Sequence, residues 1–239
     1  MSSIAPWHSY VSGEPEGDRV IIALLPDLAG MTQVAHLNKA LAPFSWSEGG
    51  IVFSERPDGG ANSVPHMTLL QFDCKRVEDL TLHLAQIHKA WARYSGIQRD
   101  INLYCTSVER YRNRATGAAT PFAFWWIDPG TSAFNTSFMS IARLVLFGTD
   151  LGTVPCKQFA THGSLVPSGI VTTSEMEMLR TVGYSHAGQW HVTVGYVTPA
   201  CDIEAVVGPY EGVLRFSHLA LARAGRNGTI VEILQTWNL

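Results

Sequence analysis

Apolar and polar residues alternate along this chain in ways that mark strands and helices in turn. "RVIIALLP" (Arg19 to Pro26) is almost continuously apolar and short, the pattern of a strand buried on both faces. "MTQVAHLNKALAP" has helical spacing through Val34, Leu37 and Leu41, and Pro43 stops it. "GGIVFSERPDGG" reads as a short strand and a turn, followed by a strand from Pro65 to Phe72. Val77, Leu80, Leu84, Ile87, Trp91 and Tyr94 recur every three or four residues, which predicts a helix with one apolar face. Gly96 stands where its C-terminal cap belongs. "INLYCTSVE" and "PFAFWWI" read as the arms of a long hairpin. The polar loop between them, "RYRNRATGAAT", carries Arg110, Arg112 and Arg114.

The second half echoes the first. "SAFNTSFMSIARLVLFG" predicts a helix ending at Gly148, and a less regular stretch runs from Thr149 to Val171. Thr173 or Ser174 caps a short predicted helix, "SEMEMLRTVG". A strand from Trp190 to Val197 follows. The C-terminal "VLRFSHLALARAGRNGTIVEILQTW" then reads as two strands joined by a turn at Asn227-Gly228, a strong hairpin signal. This repeated order predicts an α+β, bilobal fold. Its two pseudo-symmetric lobes would each hold an antiparallel sheet and flanking helices, with an active-site cleft between them. No Pro-, Gly- or Ser-rich linker separates the halves, so residues 1–239 are expected to form one domain with interleaved lobes.

Totals narrow the function classes. At 239 residues and 46% hydrophobic, the chain can bury a sizeable core. Charged residues make up 15% and no charged block interrupts the pattern, which argues against disorder. A formal net charge of −3 lacks the basic balance of a protein that coats long nucleic acid, while a short anionic ligand held by local contacts stays open. Cys74, Cys105, Cys156 and Cys201 form no C-x-x-C pair, so neither a zinc site nor a redox motif is indicated, and free thiols are expected. The N-terminus shows no secretory pattern, and the run from Val20 to Leu25 is too short to span a membrane; a cytoplasmic location is expected.

Against this background, "HMTL" at 66–69 and "HVTV" at 191–194 stand out, one in each half. Alternate side chains of a strand share a face, so His66 projects with Thr68 and His191 with Thr193, while Met67, Leu69, Val192 and Val194 anchor the strands from behind. If the lobes place these strands side by side, two imidazoles and two hydroxyls converge. Such a set suits a phosphodiester. One neutral imidazole accepts a proton, one protonated imidazole delivers one, and hydroxyls bond the non-bridging oxygens. No metal is indicated, because no further His, Asp or Glu sits at ligand spacing from either motif.

The two tetrapeptides resemble the paired H-x-T/S-hydrophobic motifs of the two-histidine (2H) phosphoesterase superfamily, which includes RNA 2′,3′-cyclic phosphodiesterases and 2′-5′ RNA ligase-like proteins. The resemblance implies a bilobal α+β fold with one motif per lobe and a metal-independent site between the lobes. It implies His66 and His191 as the acid/base pair and Thr68 and Thr193 as phosphate-binding hydroxyls. The expected activity is hydrolysis of a 2′,3′-cyclic phosphate or a 2′,5′-linked oligonucleotide without a cofactor. The alternatives are a nucleotide-binding module of this fold without turnover, or RNA 2′-5′ end joining. The expected partner is a nucleotide or short RNA, not a membrane, and a monomer is expected. The segment from Thr149 to Gly169 lengthens the chain beyond compact relatives. "HGSL" at 162–165 also fits the loose pattern, but Gly163 and Pro167 spoil a regular strand there. Arg110, Arg112 and Arg114 read as a solvated loop or a nucleotide contact. Trp125, Trp126, Trp190 and Tyr196 read mostly as core, and His83, His88 and His218 as structural.

Overall fold

The computed structural model describes residues 19–46, 63–73, 77–78, 81, 85, 101–112, 117–128, 154–155, 160–162, 185–188, 191–225 and 228–239. The first strand is β1 (Arg19–Pro26), and nearly all of it is buried, as its unbroken apolar run requires. Helix α1 (Leu28–Leu41) starts one turn earlier than its apolar spacing predicts, because the Asp27 side chain accepts from the Gly30 N–H at 2.8 Å. It ends before Pro43, as expected. Strand β2 (Met67–Asp73) follows, then β3 (Ile101–Arg112) and β4 (Ala119–Asp128). Shorter strands are β5 (Val154–Pro155), β6 (Ala160–His162) and β7 (Ser185–Gly188). The second motif lies in β8 (His191–Tyr196), followed by α2 (Ile203–Val207), β9 (Gly212–Ala224) and β10 (Ile230–Asn238).

The described strands other than β6 and β7 join in one antiparallel sheet, in the order β5-β2-β1-β9-β3-β4-β8, with β10 also paired to β9. Strand β9 joins the two ends. Its residues Phe216 to Arg223 pair with β1, and its residues Gly212 to Phe216 pair with β3. The predicted hairpins β3–β4 and β9–β10 are both present. The helix predicted from Val77 is helical at 77–78, 81 and 85, and Thr81 Oγ1 donates to Val77 O at 2.9 Å. The strand expected before Pro57, the helices expected to end at Gly148 and near Gly183, and most of the stretch from Thr149 lie outside the described residues. Two pieces of that stretch are strands: β5 pairs with Phe72 and Asp73 of β2, and β6 pairs with β7 in a separate parallel sheet. No described helix is long and apolar enough to cross a membrane.

Two apolar clusters lie on opposite faces of β1. The larger takes Val20, Ile22 and Leu24, together with Val34, Leu37 and Leu41 of α1, Met67, Trp125, Val192, Val194 and Phe216. The other takes Ile21, Ala23 and Leu25 with Ala220, Ala222, Ile230 and Val64. The larger cluster draws on strands from both ends of the sheet, so its burial favours a curled sheet over a flat one. Cα atoms of β2 and β8 accordingly come within 8 Å, although no ladder pairs them. Helix α1 braces β8 from the core side. Asn38 Nδ2 donates to Val194 O at 2.9 Å in a buried position, and Gly195 admits Leu41 so closely that a Cβ there would lie 3.4 Å from Leu41 Cδ1.

Two expectations are corrected here. Arg110 and Arg112 belong to β3, not to a loop, since the β3–β4 ladder extends to Arg112 and Ala119. Nor is Arg110 solvated: its guanidinium donates to Thr120 O (3.0 Å), Val197 O (3.4 Å), Thr198 O (2.9 Å) and Cys201 O (2.8 Å). A planar fork of N–H donors suits such a set of carbonyls, and it ties β3 to the chain leaving β8. Replacing Arg110 with Ala is expected to lower stability by roughly 1.5–3 kcal/mol, the range for hydrogen bonds from a charged donor. Urea denaturation checks this. An unchanged midpoint would show that the clamp contributes nothing.

Candidate active site

The first motif begins outside the strand. His66 immediately precedes β2, where the sequence predicts that the strand has already started at Pro65. Proline has no N–H for the ladder, and the backbone turns so that His66 Nδ1 lies 2.6 Å from the carbonyl oxygen of Val64. A carbonyl only accepts, so Nδ1 carries the hydrogen, and Nε2 is the proton-accepting nitrogen of the neutral ring. His66 is 8% exposed. Burial holds its pKa below the ordinary 6.5, while hydrogen bonds to the backbone of Val64 and Gly228 pull the other way. Thr68, half-buried, pairs with Ala23 of β1, while Met67 joins the larger core.

The second motif has the strand form predicted for it. Val192 and Val194 are buried in the larger core, and His191 and Thr193 alternate with them, half-buried, on the opposite face. Their partners across the ladder are Trp126 and Phe124. The Phe124 ring lies flat under the His191 imidazole, with centroids 3.8 Å apart and planes 18° apart. Phe122 and Tyr111 extend this aromatic layer, at 5.9 Å and 5.3 Å from Phe124. Both threonines therefore lie on the sheet face turned away from the cluster that holds α1, on strands whose Cα atoms approach within 8 Å.

The remaining predicted residues divide clearly. Trp125 is fully buried, and its indole donates to Tyr210 O at 3.2 Å; Tyr196 is core and packs edge-on to Phe122. His218 lies in β9 with Nδ1 2.8 Å from Ser217 Oγ. His162 ends β6, a strand of the separate two-stranded sheet. Cys105 and Cys201 are free thiols, and burial pushes the Cys105 thiol up to about 12. Arg114, Trp190, His83 and His88 lie outside the described residues, as does the side chain of Trp126. Among the described residues, no group of three or more His, Cys, Asp or Glu could hold a metal ion. Sequence reasoning missed Phe124, because its partnership with His191 depends on the β4–β8 register.

No family model matches the chain, and no curated protein matches it. Among solved structures it is similar to TT0787 of Thermus thermophilus, with a TM-score of 0.55 at 14% identity, covering 92% of this chain and 97% of that one. The chain shares that fold. It also aligns with a structure described as a phosphoesterase (TM-score 0.40, 13% identity, 93% and 98% covered). A third alignment is with E. coli LigT complexed with 3′-AMP (TM-score 0.36, 15% identity, 94% and 99% covered).

The depressed pKa of His66 has a sign that thermodynamics fixes. The unfolded chain takes up a proton at the ordinary value near 6.5 while the folded one resists it, so acid favours unfolding. The contribution of His66 to stability is complete above that value and is lost as the pH falls through the folded pKa. Melting temperature is expected to drop between pH 7 and pH 5, and less so in His66→Gln. Identical slopes in the two proteins would contradict this.

Proposed function

We propose that the protein is a metal-independent phosphodiesterase of the two-histidine type, acting on a 2′,3′-cyclic phosphate or a 2′,5′-linked oligonucleotide. The supporting observation is that one curled sheet sets β2 and β8, far apart along its hydrogen-bonded path, next to each other. Strand β8 carries one His-x-Thr motif, and the other begins one residue before β2. On this reading the chain is one domain of two lobes that share β9: β1, β2 and β10 on one side, β3, β4 and β8 on the other.

The two histidines sit in different surroundings, and this favours different roles. His66, buried and with its hydrogen held on Nδ1, serves as the base, and its Nε2 takes a proton from the attacking water. His191, less buried and lying on the Phe124 ring, serves as the acid, since an aromatic face attracts a cationic imidazolium. The water oxygen bonds to phosphorus, the bond from phosphorus to the departing ribose oxygen breaks, and that oxygen leaves with the proton of His191. Thr68 and Thr193 donate hydrogen bonds to the non-bridging oxygens, where negative charge is concentrated.

Hydrolysis of 2′,3′-cyclic nucleotides and 2′,5′-oligoadenylate, assayed with EDTA present, tests the proposal. His66→Ala and His191→Ala are each expected to lose about 100-fold or more, the lower bound for one acid/base group. Full activity in either variant, or abolition of activity by the chelator, overturns it. Nucleotide binding without hydrolysis across the panel would point instead to a binding module.

The pH–rate profile is expected to be bell-shaped. Its acid limb should lie below 6.5, because His66 must lose its proton to act and burial holds its pKa down. A profile flat between about pH 5 and 8, across the titration range of imidazole, is incompatible with paired histidines.

A further inference from the structure

Asn38 is a polar side chain buried on α1 beside Val34, Leu37 and Leu41, and the acid/base chemistry makes no use of it. Its Nδ2 donates to Val194 O at 2.9 Å, across 156 positions of sequence. The acceptor stands at an irregularity in the β4–β8 ladder. Ala123 pairs with Gly195, but the next residue of β4, Phe124, pairs with Thr193, so Val194 is skipped. One extra residue on one strand is the form of a β-bulge, a device that re-aims side chains. Both residues at the bulge turn toward α1. Val194 is buried in the larger cluster, and a Cβ on Gly195 would lie 3.4 Å from Leu41 Cδ1 and 3.7 Å from Asn38 Nδ2.

The bulge decides which face carries the second motif. Residues opposite each other in a ladder share a face, and a slip of one residue exchanges the faces. Were the pairing to run on evenly from Ala123 and Gly195, Thr193 would oppose Trp125, which is fully buried in the larger cluster. Val192 and Val194 would then turn out of the core. With the bulge, Thr193 opposes Phe124 instead, and the His191 imidazole lies on the Phe124 ring with centroids 3.8 Å apart. We propose that Asn38, by holding the Val194 carbonyl, fixes this bulge and so aims the His191 imidazole and the Thr193 hydroxyl at the substrate phosphate. This rests on the reading of His191 as the acid and Thr193 as a phosphate-binding hydroxyl. Asn38 is a positioning residue: it acts on the motif through the strand, from the core side of the sheet.

Asn38→Leu tests this, because it keeps a side chain of similar size and removes the donor from a buried carbonyl. The first readout is the NMR signal of the carbon-bound imidazole protons of His191, assigned by its loss in His191→Gln. Stacking on Phe124 places these protons in the ring current of the phenyl group. In Asn38→Leu the bulge shifts, and the signal is expected to move toward the position of an unstacked imidazole. The second readout is the hydrolysis assay, where kcat is expected to fall about 10- to 100-fold, the scale of an ångström-sized misplacement, while KM changes less. Asn38→Ser is too short to reach Val194 O but leaves room for a water to take the donor's place. It is expected to move both readouts in the same direction by less, and it decides the matter if Asn38→Leu does not fold. A folded variant that loses melting temperature but keeps the His191 signal and kcat overturns the proposal, because a purely structural brace would do only that. The NMR readout stands apart from the assay. If His191→Ala retains full activity the functional reading fails, while a displaced signal in Asn38→Leu still shows the bulge governing the ring.

Discussion

The curling of a single sheet around one apolar cluster is the constraint on which the rest depends. Strands β2 and β8 share no hydrogen bond ladder, and β1, β9, β3 and β4 separate them along the path. They approach because Met67 at one end and Val192 and Val194 at the other bury themselves with α1 and with β9 residues such as Phe216 and Leu219. Apolar burial carries no direction of its own, so the geometry comes from the hydrogen bonds laid over it. Asn38 fixes α1 to the Val194 carbonyl, and Arg110 gathers carbonyls from both sides of the β8 exit. Strand β9, long enough to pair with β1 along one part and β3 along another, makes the two ends one body.

Upon that frame the two motifs are set differently. His191 begins its strand and rests on an aromatic ring, half-buried. His66 stops short of its strand, is almost fully enclosed and is held by backbone carbonyl chemistry. Equivalent tetrapeptides thus sit in unequal surroundings.

Much of this was legible in the amino-acid order. The apolar run of β1, the β3–β4 and β9–β10 hairpins and the β8 strand follow from local periodicity and turn chemistry, which are short-range signals. The extent of β3 was not legible: Arg110 and Arg112 look like loop residues until the carbonyls around Arg110 are known, and those come from residues 10 to 91 positions away. The late start of β2, at Met67 and not at Pro65, was missed for a similar reason, since His66 reaches back to Val64 instead of joining the ladder. Phe124 beneath His191, and Ser63 on the Ile230 N–H, depend on strand register and on contacts between distant segments. Period counting says which face a side chain takes, and nothing about what another segment brings to that face.

Paired-histidine catalysis requires the two imidazoles to address one phosphate. A crystal structure with a bound nucleoside 3′-phosphate measures this directly. The phosphate is expected between the Nε2 atoms of His66 and His191, each within hydrogen-bond distance, with the Thr68 and Thr193 hydroxyls on its remaining oxygens. A phosphate bound elsewhere, or one held by His191 without His66, would contradict it.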